Sequence, residues 1–274
     1  MKFHCLGSSS SGNCFIFEFD NGSLMVECGI KISALYQKCL ENEIEFKKVK
    51  NCLITHSHKD HCLSATNLLN RGIAVYGSQS ALEQQNIKGR AIYHNKSFEV
   101  LNGLFITPFT VYHDIDGCYG YILQERNETI VFINDHKCWT CDLSEIKPNY
   151  IFIECNYIKD LLPKDENKSV RQINSHCGLD DTVRGLNHFD LSECKEIYLM
   201  HLSDGSSNEK VMKETVENET KIKTYICKKK GGIAYEWIIK SIEIVKNEKI
   251  TYLARNVKTI RGCISHGGNK LGER

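Results

Sequence analysis

The sequence predicts a layered α/β protein, and three observations carry that prediction. Short β-rich runs alternate with longer amphipathic stretches. The residues with metal-binding or acid–base chemistry gather just after the short apolar runs. The length, 274 residues, suits one sizeable core or a core with a small appendage. Strands are expected at residues 2–5, 13–18, 23–27, 51–55, 74–77, 91–93, 104–109, 119–124, 129–133, 150–155 and 196–200, with 222–227 and 232–239 towards the end. Asn21-Gly22 between two apolar runs is a hairpin turn, and Asn127-Glu128 makes another. Helices are expected at residues 31–41, 64–70, 78–85, 179–189 and 208–219, with Ser78 and Asn208 as N-caps.

The most informative segment is Thr55-His56-Ser57-His58-Lys59-Asp60-His61, which follows the apolar run Cys52-Leu53-Ile54. It places four metal-ligand side chains within six residues. Positions i, i+2, i+4 and i+5 do not share a helical face, so the spacing predicts a loop at a strand end rather than the helical His-Glu-x-x-His arrangement. Imidazole suits zinc, manganese and iron, and an added carboxylate favours divalent ions. A solvated loop is the alternative. Further candidate ligands after similar runs downstream weigh against it.

The motif resembles the signature of the metallo-β-lactamase superfamily, and the rest of the chain sharpens the likeness. Gly7-Ser8-Ser9-Ser10-Ser11-Gly12-Asn13 is similar to the opening of the WalJ (YycJ)-like subfamily. Leu24-Met25-Val26-Glu27-Cys28-Gly29 resembles its Leu-x-Val-Asp-Ala-Gly strand, with Glu and Cys in place of Asp and Ala. Phe109-Thr110-Val111-Tyr112-His113-Asp114 with Gly120-Tyr121, Val131-Phe132-Ile133-Asn134-Asp135, Ser175-His176-Cys177-Gly178-Leu179 and Leu199-Met200-His201-Leu202-Ser203 resemble the later motifs. The likeness runs in order over residues 1–235. His136-Lys137 stand where the family has a small residue and glycine, so His136 either crowds the site or is an alternative ligand.

The resemblance implies a four-layer αββα sandwich. It further implies two divalent metal ions, zinc first, with manganese or iron as alternatives. His56, His58 and His113 would bind one ion and Asp60, His61 and His201 the other, with Asp135 bridging. Asp60 or Asp135 would orient the attacking water, and His176 would supply a proton or positive charge to the leaving group. The alternative for His176 is a loop-packing histidine. Asp114 either orients an imidazole through its other nitrogen or is merely exposed. Residues 7–13 either approach the substrate or brace a ligand loop. Ser203 and residues 206–208 either contact phosphate or form a turn and helix cap.

The implied activity is hydrolysis of nucleic-acid phosphodiester bonds, with DNA as the partner and a 5′→3′ exonuclease as the finer expectation. Cyclic-nucleotide hydrolysis and a non-catalytic metal-binding regulator are the alternatives. A thioester or lactam hydrolase would share only the metals.

Hydrophobic residues at 41% and charged residues at 25% suit a globular protein, and no apolar run is long enough for a membrane span. The 14 cysteines are irregularly spaced and many lie within apolar runs, which points to a reducing cytoplasm with few or no disulfides. Cys138-Trp139-Thr140-Cys141 has no second pair at structural-zinc spacing and reads as a turn beside the site. Net charge is +1, yet residues 228–274 carry 11 lysines and arginines against 4 acids. That basic end either meets a phosphate backbone or is solvated. The expected division is a hydrolase domain at residues 1–240 and a basic extension at 241–274, a last hairpin followed by a mobile tail in which His266 lies at the surface.

Overall fold

The computed structural model describes residues 2–233. The expected hairpin and tail at 241–274, the boundary at 240 and His266 lie outside the described residues. Of the strand expected at 232–239, only the start is described, where Ile233 bridges to Cys227.

Two sheets form the centre. The first runs β1 (Lys2–Gly7), β2 (Cys14–Phe19), β3 (Gly22–Cys28), β4 (Val49–Leu53), β5 (Ala74–Gly77) and β6 (Arg90–Ala91), neighbours in that order. Strands β1 to β3 are antiparallel, and β3 to β6 are parallel. The second sheet comprises β7 (Phe98–Leu101), β8 (Leu104–Tyr112), β9 (Tyr119–Glu125), β10 (Glu128–Ile133), β11 (Cys138–Trp139), β12 (Tyr150–Glu154), β13 (Glu196–Met200) and β14 (Lys223–Ile226). Its order is β11-β8-β9-β10-β12-β13-β14, with β7 paired to β8.

Period-two alternation explains how the sheets stack. On β2, Phe15 and Phe17 point between the sheets, while Cys14 and Ile16 face the outer helices. On β12, Phe152 points inward and Ile151 and Ile153 outward. Rings meet edge-on across the gap, Phe15 with Phe132 at 5.2 Å, Phe17 with Phe152 at 5.1 Å and Phe3 with Phe152 at 4.7 Å between centroids. The outer face of the first sheet is covered by α1 (Ile32–Glu41), α2 (Lys59–Cys62), α3 (Ala65–Leu69) and α4 (Gln79–Gln84), through Leu35, Cys62, Leu68 and Leu82. α6 (Leu179–Leu186) and α7 (Glu209–Thr220) cover the second sheet through Leu179, Leu186, Met212 and Val216. The result is the four-layer αββα sandwich. Cys14, Cys28, Cys52 and Cys155 are fully buried and serve as small apolar fillers.

Ser78 caps α4 by accepting from Ala81 N, and Asn208 caps α7 by accepting from Val211 N. Several segments depart from expectation, among them β7, where no strand was expected. α5 (Glu166–Ser175) was not legible as a helix. Cys138-Trp139 is a short strand paired to β8, not a turn. The second half of the histidine motif is the helical turn α2. Among the described residues, no helix is long and apolar enough to cross a membrane.

Candidate metal centre

The site forms where strands of both sheets end. After β4 the chain bends at residues 55–57, is extended at His58 (φ −62°, ψ 142°) and then turns into α2. His61 N and Cys62 N donate to His58 O, which starts that turn. The motif spacing fits no single helix, and the passage from the bent loop into α2 after His58 divides it into two donor pairs. This turn packs onto β3 so closely that a Cβ at Gly29 would lie 1.6 Å from Asp60 O, and only glycine permits the approach.

All seven proposed ligands come together. His56, His58 and His113 form one group, and Asp60, His61, Asp135 and His201 form a second, with donor atoms in each within 4.8 Å of one another. Asp135 lies against both. Its Oδ2 is 3.2 Å from His61 Nε2, 3.7 Å from His113 Nε2 and 4.0 Å from His56 Nε2, and its Oδ1 is 3.4 Å from His201 Nε2. Asp60 Oδ2 lies 3.3 Å from His61 Nε2 and 3.8 Å from His201 Nε2.

Remote ring nitrogens are held from behind, which aims the others inward. His56 Nδ1 bonds Thr55 Oγ1 at 2.9 Å, and that hydroxyl donates to Glu27 Oε1 at 2.6 Å. His61 Nδ1 donates to Glu27 Oε2 at 2.9 Å. His113 Nδ1 donates to Ser175 O at 2.6 Å. His201 is fixed through its backbone, with its N–H donating to Ser8 Oγ at 2.9 Å and its carbonyl accepting from Asn156 Nδ2 at 2.8 Å. Glu27, Asp135 and His201 all have positive φ, 67°, 41° and 53°. Such left-handed geometry costs roughly 1–3 kcal/mol per residue and is characteristic of functional sites.

Burial, then the neighbouring His61 ring, pushes His56 well below the usual histidine range. Burial opposes charge on His61, but Glu27 and Asp135 outweigh it and hold the ring well above that range. For His176, burial is likewise outweighed by Glu154, whose carboxylate accepts from Nδ1 at 2.6 Å, and the ring is raised to about 9.

The donor chemistry fits divalent cations. Asp135 Oδ1 and His201 Nε2 are buried and face each other without a hydrogen-bond partner among the described residues. Five imidazoles and two carboxylates make a mixed nitrogen and oxygen set suited to zinc, manganese or iron. An ion satisfies the orphaned atoms and offsets two neighbouring carboxylates.

His176 is brought beside the cluster, its ring stacked 5.4 Å from that of His201. It is the C-cap of α5 rather than part of a free loop. His136 joins neither donor group. Burial lowers it to about 4, and its ring packs 5.7 Å from Trp139 with Nδ1 3.6 Å from Glu154 Oε2. Asp114 Oδ1 sits 3.1 Å from His113 Nε2 and 3.5 Å from His58 Nε2; His58 turns Nδ1 to His56 Nε2 at 3.0 Å, so its Nε2 is the remote nitrogen and Asp114 stands behind that ring. Residues 7–13 brace the site. Asn13 Nδ2 donates to Asp60 O at 3.3 Å and lies 3.3 Å from His61 Nε2.

Glu154 was missed by the sequence reading. It is fully buried, accepts from His136 N at 2.8 Å and grips His176. The only trace in the sequence is an acid ending the apolar run Ile151-Phe152-Ile153. Glu27 was noticed only as a departure from a motif, yet it supports both His61 and Thr55.

Two stacked sheets, helices on both outer faces and a histidine–aspartate cluster where the strands end give this chain the metallo-β-lactamase fold. Among solved structures it is similar to the metallo-beta-lactamase fold protein YhfI from Bacillus subtilis, with TM-score 0.67 and 19% identity over 84% of this chain and 97% of that one. It is also similar to Zn(2+)-bound PqqB from Methylobacterium extorquens, with TM-score 0.64 and 13% identity over 86% and 100% of the two chains. Among curated proteins the sequence is similar to exodeoxyribonucleases named WalJ and YycJ. It is 22% identical over 235 residues to exodeoxyribonuclease WalJ of Streptococcus pneumoniae serotype 2 (strain D39 / NCTC 7466), covering 80% of this chain and 87% of that protein. No family model matches the chain.

Proposed function

We propose that the protein is a metal-dependent phosphodiesterase that hydrolyses nucleic acid, with DNA as substrate and 5′→3′ exonucleolytic cleavage as its mode. The observation that carries the reading is Asp135 facing both donor groups at once, with His176 on a buried carboxylate beside them. The likeness to a protein named exodeoxyribonuclease supports the substrate class.

His56, His58 and His113 would hold one divalent ion and Asp60, His61 and His201 a second, with Asp135 serving both. Zinc is the first expectation, with manganese and iron as alternatives. When bound, the ions supply an acidified water and positive charge for phosphoryl oxygens. Asp60 is the partly exposed carboxylate, with 24% of its side chain accessible, and it orients the attacking water by accepting its hydrogen bond. His176 acts on the leaving side. Glu154 takes the Nδ1–H, favours the charged ring and leaves Nε2–H to protonate the departing alkoxide.

The test is a panel of 5′- and 3′-labelled single- and double-stranded DNA, RNA and cyclic mononucleotides, run with zinc or manganese. Stepwise release from the 5′ end of DNA is expected. The paired substitution of His58→Ala and Asp60→Ala should abolish it while circular dichroism stays native. Cleavage of cyclic mononucleotides alone, or undiminished nuclease activity in the variant, would overturn the proposal.

A further inference from the structure

We infer that Lys168 and Arg171 hold a second phosphate group of the polynucleotide, beyond the one being cleaved; the inference rests on the nuclease reading. A cavity of about 380 Å³ adjoins the donor cluster and is lined by Ser10, Asn156, Lys168, Arg171, His176 and Ser203, among others. His176 and His201 line it too, so it opens directly onto the proposed chemistry. Among the described residues, no phenylalanine, tyrosine or tryptophan lines it. It therefore lacks the stacking platform that holds a base, whereas cations, hydroxyls and amides suit a sugar–phosphate chain.

The two cations are uncommitted. Lys168 and Arg171 stand three residues apart on α5 and share one face. Among the described residues, neither has a carboxylate partner. Elsewhere such partners are common: Lys137 and Arg184 both pair with Asp181, and Lys228 pairs with Glu209. The carboxylate that lines the cavity, Asp204, is taken by Lys229. Among the described residues, an anion in this cavity thus meets two positive charges without a carboxylate partner.

α5 adds little to the apolar packing. Ser175 is its one buried residue, and it contributes nothing to the two apolar clusters. Yet it is tied firmly to the site. Ser175 O takes the remote N–H of His113 at 2.6 Å. Gln172 Nε2 donates to Asn156 Oδ1 at 2.6 Å, and Asn156 also holds the carbonyl of His201. A phosphate gripped by Lys168 and Arg171 is therefore held at a fixed distance from both donor groups, setting which bond along the strand reaches them. The phosphate is either a terminal monoester or a diester flanking the scissile bond.

Lys168→Ala, Arg171→Ala and the double variant test this. Metal-loaded protein would be titrated with phosphorothioate-linked DNA carrying a 5′-phosphate or a 5′-hydroxyl, at several salt concentrations, and kcat and KM measured on cleavable strands. Each substitution should weaken binding about tenfold. The double variant should lower the slope of log affinity against log salt by about 1.5, with KM raised and kcat nearly kept. Loss confined to 5′-phosphorylated strands identifies the terminal monoester, and equal loss on both strands identifies the flanking diester; either supports the inference. Wild-type binding, salt slope and KM in the double variant, while the parent cleaves DNA, would overturn it alone. A parent that neither binds nor cleaves nucleic acid would remove the nuclease reading and this inference with it.

Discussion

The two donor groups of the cluster are built differently. The first is three imidazoles, and its His58 side chain is 35% exposed. Its remote nitrogens at His56 and His113 rest on uncharged partners, the Thr55 hydroxyl and the Ser175 carbonyl, while the partly exposed Asp114 carboxylate lies 3.5 Å behind His58 Nε2. The second has two carboxylates and two buried imidazoles, and His61 leans on the buried anion Glu27. More negative charge and more enclosure, with a fully buried rather than a partly exposed carboxylate directly behind a ring, should make the second group the tighter cation holder. The contrast teaches that neighbouring sites made from one short motif can differ in strength through what stands behind them.

The sharpest way to break this comparison is at the residue both groups share. Asp135→Ala should lower nuclease activity by at least about a thousandfold, since several kcal/mol of charge stabilisation depend on the ions it serves. Elemental analysis should show fewer ions per chain. Full activity would mean that the groups do not act together. Next in size, His176→Ala or Glu154→Gln should reduce kcat by about 10²- to 10⁴-fold with the metal content unchanged. Metal loss in those variants would instead make the pair part of the ion-binding set.

Glu27→Gln and Thr55→Val probe the two supports, Glu27 reaching His61 directly and His56 only through the Thr55 hydroxyl. Losing the anion behind His61 should cost about 10- to 100-fold in metal affinity, measured by competition with a chromogenic chelator, and losing the hydroxyl behind His56 should cost less. The reverse order would invalidate the ranking of the groups. The smallest expected effect is thermal. Stripping ions from a protein loaded at a hundred times its Kd removes about 2.7 kcal/mol of stabilisation, which should lower Tm by about 5–10 °C in a calorimetric scan.

The sequence was most legible where neighbours along the chain decide structure. Apolar runs such as Ile151-Phe152-Ile153 declare strands because both their faces are covered. The histidine motif announced a donor cluster because its members are local. α5 stayed hidden because it is polar almost all round, so no stripe repeats at helical spacing. Strand β11 is only two residues long and owes its conformation to pairing with β8. The buried supports were hidden for a different reason. Glu27 meets His61 across 34 residues, and Glu154 meets His176 across 22. Such pairings arise only when the sheets place strand ends side by side.

The rings between the sheets do more than fill space. Phe3, Phe15 and Phe17 of one sheet interlock with Phe132, Phe152 and Tyr198 of the other. His56 and Asp60 follow a strand of the first sheet, and Asp135 and His201 follow strands of the second. The thickness of this aromatic layer therefore acts as a gauge block for the whole catalytic mouth. Trimming a ring deep inside would reset its aperture, and a kinetic assay would register a change made far from any reacting atom.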